Sequence, residues 1–65
     1  MPAKRDLWLI AKMLIERDGQ GALGFALAKA GILQGEGDDE GAHTWKEIVY
    51  AVDELLRPVG DRTIH

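Results

Sequence analysis

Apolar residues in this chain recur at spacings of three and four, not two, and they do so in three blocks separated by glycine. In the block from Thr44 to Arg57, the residues Trp45, Ile48, Val49, Val52, Leu55 and Leu56 fall within roughly a third of a helical circumference at 100° per residue. Lys46, Glu47, Asp53, Glu54 and Arg57 fall outside it. In the first block Leu7, Trp8, Ile10, Ala11, Leu14 and Ile15 fill about 160° of the wheel, a wide stripe for a helix with one side in water. The middle block places Leu23, Ala26, Leu27, Ala30 and Leu33 on one stripe. Apolar residues there do not alternate and alanine is frequent, which favours helix over strand. Gly24, Ala28 and Gly31 make a separate strip of small residues on which another backbone can approach. Phe25 and Ile32 lie roughly opposite the stripe, so this helix is read as central and buried on two sides.

Local signals set the boundaries. Pro2 suits the first turn of a helix, where its missing N–H would have no intrahelical acceptor. Gly19 supplies the left-handed residue that commonly ends one. Gly35-Glu36-Gly37-Asp38-Asp39-Glu40-Gly41 is too polar and glycine-rich for a core segment and reads as a connection. The third helix then starts in one of two places. Asp38 or Asp39 can cap it directly, or Thr44-Trp45-Lys46-Glu47 can act as a Ser/Thr-x-x-Glu capping box. Pro58 stops it, because the residue before a proline avoids the α region. The expected architecture is all-α: one domain spanning 1–65, a small antiparallel three-helix bundle with helices at about 3–18, 20–34 and 39/44–57, and a short loose C-terminal tail along which Val59 extends the third stripe.

A chain of 65 residues is close to the lower limit for independent folding, and such chains often rely on a disulfide, a metal or association. With no cysteine, a disulfide is excluded and a zinc site of the usual Cys/His type is not formed, leaving regular helix packing or association. The apolar run Leu7 to Ala11 is too short for a signal segment or a membrane span, so a cytoplasmic protein is expected. A net charge of -3 argues against direct nucleic-acid binding through a basic face. Between residues 36 and 47, five acidic side chains stand against Lys46 alone.

That acidic stretch can be aligned with a calcium loop. With Glu36 in position one, Asp38, Glu40, Gly41, Thr44 and Glu47 occupy positions three, five, six, nine and twelve. Two departures weigh against it: Glu replaces the usual Asp at position one, and His43 stands at position eight. His43 pairs in sequence with Glu47 alone, short of a metal ligand set. For nucleophilic catalysis the chain offers only the hydroxyls of Thr44, Tyr50 and Thr63, and no enzyme activity is expected. Gly19, Gly21 and Gly24 spell Gly-x-Gly-x-x-Gly, but no strand precedes them, as a dinucleotide site would require. No cofactor is implied. Trp8 and Trp45 lie on the two core stripes and are expected to be largely buried, packed on each other or on the second helix, while Tyr50 is expected on the polar side of the third.

Four large apolar residues remain outside the stripes: Leu9 and Met13 on the first helix, Phe25 and Ile32 on the second. If those helices pack antiparallel, the four form one surface for a protein partner or a second copy. Burying all four would release about 6 to 12 kcal/mol before association entropy is subtracted. The leading expectation is therefore a noncatalytic, small acidic helical protein that acts through protein–protein interaction or self-association. Two alternatives stand beside it: a small-ligand or calcium-binding module using residues 36–47, and an acidic regulator of a DNA-binding protein. With Trp8, Glu16-Arg17, Gly19, Asp38, Gly41, Trp45 and Ile48 in place, residues 6 to 56 resemble short uncharacterised helical proteins of alphaproteobacteria, a domain of unknown function. That resemblance implies a small bacterial helical protein and brings no functional residues with it.

Overall fold

The glycines and the aspartate that punctuate the sequence become the corners of the fold. A computed structural model describes residues 4–57, with the backbone alone at Lys4. It contains α1 (Lys4–Asp18), α2 (Gly21–Gly35) and α3 (Asp39–Leu56), a three-helix bundle with no strand among the described residues. Pro2 and the tail from Pro58 onward, including Val59, lie outside them.

Gly19 ends α1 with φ 59°, and its N–H donates to the Ile15 carbonyl at 2.7 Å. The second corner is tighter. Gly37 takes φ 84°; its N–H donates to Gln34 O at 3.1 Å, and the Asp38 N–H donates to Leu33 O at 2.9 Å. That pair of bonds is the Schellman arrangement, which satisfies carbonyls left over at a helix end. Asp38 also opens α3, since its carboxylate Oδ1 accepts the Gly41 N–H at 2.9 Å. One residue thus closes one helix through its backbone and caps the next through its side chain. Gly41 is part of this cap, because a Cβ there would lie 2.5 Å from Asp38 Oδ2. Of the two starts open to the sequence, Asp38 is the one used; Thr44 lies inside α3, beyond its first turn. At the other end Arg57 has φ -67° and ψ 137°, the extended conformation required before Pro58.

The core lies along α3, which packs most extensively on α2, then on α1, while α1 and α2 touch each other least. Leu7, Ala11 and Leu14 of α1, Ala22, Ala26 and Ala30 of α2, and Ala42, Ile48, Ala51 and Val52 of α3 are buried. Ile48 and Val52 are the largest fully buried side chains. They share one core cluster with Ala22 and Ala26 of α2, and small residues on one helix let a neighbouring axis approach closely.

This corrects three expectations. First, α2 is not buried on two sides: its buried face is the alanine row, and Leu27, assigned above to the core stripe, is exposed. Second, among the described residues no backbone approaches the Gly24 and Gly31 positions of the small-residue strip, since a Cβ on either would meet nothing within 4 Å. Third, Trp8 and Trp45 are only half-buried and pack against the outside of the core cluster that holds Leu7, Ile48 and Val52. Leu55 is also exposed. Among the described residues no helix is long and apolar enough to cross a membrane.

Candidate functional site

The four residues singled out as a partner surface are all exposed, at 51% for Leu9, 66% for Met13, 40% for Phe25 and 57% for Ile32. Leu9 and Met13 point away from the face of α1 that buries Leu7, Ala11 and Leu14, as their wheel positions require. Phe25 and Ile32 are seven residues apart, two turns along one flank of α2.

Arg17 connects α1 to Phe25 of α2. It follows Met13 by one turn on α1, and its guanidinium carbon sits 4.8 Å from the centre of the Phe25 ring, within cation–π range. The same guanidinium holds Asp18, with Nη2 donating to Oδ2 at 2.8 Å and Nε at 3.1 Å. That hydrogen bond, aided by the charge of Arg17 and opposed by desolvation, lowers the Asp18 pKa; its counterpart raises that of Arg17. The Phe25 ring meets Trp45 edge-on, with centroids 6.0 Å apart and planes at 70°. Asp18, Arg17, Phe25 and Trp45 therefore form a chain of contacts joining all three helices. Phe25 is partly a structural residue, and Trp45 packs on α2 as expected, not on Trp8. The sequence carried one clue, since Arg17 falls on the same wheel flank as Met13, but nothing in the spacing fixes a guanidinium over a particular ring.

Trp8 lies elsewhere, in a groove of about 300 Å³ between α1 and α3 lined by Leu7, Trp8, Glu47, Tyr50, Ala51 and Glu54. Its volume is at the small end of those that hold organic ligands. The helix repeat explains the α3 side: residues 50 and 51 each lie three or four from both 47 and 54, so the four share a flank. Tyr50 is 74% exposed, on the polar side as expected. Sequence reasoning named Trp8 and Tyr50 separately and did not place them together, because that requires knowing which flank of α1 meets α3.

The acidic stretch does not form a twelve-residue loop. From Asp39 onward it is α3, so Glu40, Thr44 and Glu47 follow the helix and do not converge with Glu36. Asp38 is engaged with the Gly41 N–H. His43 Nε2 stands 3.7 Å from Glu47 Oε2, an ion pair when the imidazole is protonated. Among the described residues no group of three or more His, Asp or Glu side chains could hold a metal ion together. Gly19, Gly21 and Gly24 lie at the junction of two helices, so the Gly-x-Gly-x-x-Gly letters have no strand before them. No family model, no curated protein and no solved structure matches this chain.

Proposed function

We propose that the chain is a noncatalytic interaction protein that associates with another protein, or with itself, through the surface carrying Leu9, Met13, Phe25 and Ile32. The observation that carries this reading is the outward placement of Leu9 and Met13, two exposed large apolar side chains one turn apart on a face of α1 that neither α2 nor α3 buries. Scattered exposed apolar residues are ordinary on a monomer, whereas a contiguous set has a contact as its usual explanation.

Magnitudes limit what the four can do alone. Each is already about half covered, so roughly 0.7 to 1.5 kcal/mol is left to gain per residue, half of the value for full burial. The sum is about 3 to 6 kcal/mol, less than the free-energy cost of association in many estimates. Further contacts from the same side of the molecule must contribute. The test is sedimentation of the wild type and of the Met13→Lys, Phe25→Asp double variant between 10 µM and several hundred µM. Concentration-dependent association of the wild type, lost in the variant while its helical circular dichroism persists, supports the reading. A monomeric wild type whose binding to host proteins is unchanged by both substitutions contradicts it.

A further inference from the structure

We infer that Met13 makes this contact sensitive to oxidants: peroxide converts its thioether to the sulfoxide, and the sulfoxide releases the contact while the bundle stays folded. The inference rests on the self-association form of the reading above and names the group that switches it.

The chain has no cysteine and two methionines, so no thiol of its own competes for a two-electron oxidant. Access then decides which group reacts. Met13 is 66% exposed, more than Leu9, Phe25 or Ile32, while Met1 lies outside the described residues. The step is an oxygen transfer. A sulfur lone pair of Met13 attacks one peroxide oxygen, the O–O bond breaks, and water leaves carrying both peroxide hydrogens. Sulfur is oxidised by two electrons and the peroxide is reduced by two.

Position decides the consequence. The buried residues of α1 are Leu7, Ala11 and Leu14, and Met13 is outside that set, so a sulfoxide there removes no core contact and in the free molecule its oxygen is hydrated. In the contact that oxygen needs a donor, because a strong acceptor buried without one is costly. Its own helix offers little. The residues one turn from Met13 are Leu9, Ile10, Glu16 and Arg17. Two are apolar, the Glu16 carboxylate only accepts, and the Arg17 guanidinium already holds Asp18 and lies over Phe25. Oxidation therefore removes the apolar gain at Met13 and adds a desolvation cost in its place. Since the four apolar residues fall short of the cost of association by themselves, the contact has little excess stability with which to absorb that change.

The test compares wild type with Met13→Leu, each before and after hydrogen peroxide, by sedimentation over the concentration range given above. Peptide mass spectrometry reads the added oxygen on Met13. Leucine keeps the apolar character and approximate volume of methionine, and the variant retains Met1, Trp8 and Trp45, so it reports any effect of oxidation elsewhere. Oxidised wild type should associate at least about tenfold more weakly, with its helical circular dichroism unchanged, and methionine sulfoxide reductase should restore it. Met13→Leu should associate as wild type does, before and after peroxide. Wild type that carries the added oxygen on Met13 and associates as before would overturn the switch and leave the Leu9 and Met13 surface standing. So would a Met13 that peroxide leaves unmodified, an equal loss in treated Met13→Leu, or a loss of helix on oxidation. A wild type that stays monomeric at several hundred µM before any treatment would overturn both the switch and self-association.

Discussion

Helices α2 and α3 differ in a way their compositions conceal. α2 is the more apolar, with Lys29 as its one charged residue, whereas α3 carries Asp39, Glu40, Lys46, Glu47, Asp53 and Glu54. Yet α3 places Ile48 and Val52 in the core, while α2 buries only Ala22, Ala26 and Ala30 and leaves Phe25, Leu27 and Ile32 outward. Their ends differ too. Asp38 caps α3, whereas Gln20 at the start of α2 makes no side-chain cap bond. Position on the wheel, not apolar content, decides what a helix contributes to a core. α2 works as a smooth wall that admits the large residues of α3 and carries its own large residues on other faces.

The sharpest way to break this contrast is Ile48→Ala. Emptying a site that is 1% exposed should cost about 2 to 5 kcal/mol, a large share of the stability of a domain this small, and urea denaturation should find the variant mostly unfolded. Filling the opposite wall should also destabilise. Ala26→Leu has no space against α3 and should cost about 1 to 3 kcal/mol through overpacking. A neutral result would mean that the alanine row is incidental.

At the corner, Asp38→Ala removes the cap and should cost about 1 kcal/mol, read as a fall of several degrees in Tm. The smallest effect distinguishes glycines by their surroundings. Gly24→Ala and Gly31→Ala point into open space and should each stabilise by about 0.5 to 1 kcal/mol. Gly41→Ala should gain nothing, because its new methyl displaces the Asp38 carboxylate. Equal gains at all three positions would show that the cap contributes little.

Much of the fold was legible because it is written in local rules. The three blocks of helical spacing, the left-handed Gly19 and the stop before Pro58 each need only neighbouring residues, and each is found where expected. The start of α3 was ambiguous because two capping signals lie six residues apart; the Schellman bonds of Gly37 and Asp38, which join the two helices in one turn, favour the earlier. What the pattern misjudged depends on a second helix. Leu27 and Leu55 fit their stripes but sit at the edges, where coverage depends on how far a neighbour extends. The two indoles were assigned to the core by their stripes, yet both are half-buried, while Leu7, Ile48 and Val52 are buried. In the candidate surface, exposure of Leu9 and Met13 followed from periodicity, whereas for Phe25 and Ile32 the same spacing also read as a second buried side of α2, and both are exposed. The Arg17 guanidinium over Phe25 and the meeting of Trp8 and Tyr50 in one groove did not follow from periodicity, since each depends on the crossing of two helices.

The central claim is that one apolar surface of this bundle is used and the others are not. Methyl resonances test it most directly, because Leu9, Met13 and Ile32 lie on the proposed contact while Leu27 and Leu55 are comparably exposed on other faces. Methyl-labelled wild type is recorded from 10 µM to several hundred µM. The account predicts that the Leu9 and Met13 methyls shift and broaden with concentration, with Ile32 following, while those of Leu27 and Leu55 stay fixed. Methyls that are all unmoved across that range, or that move equally on every face, would contradict it.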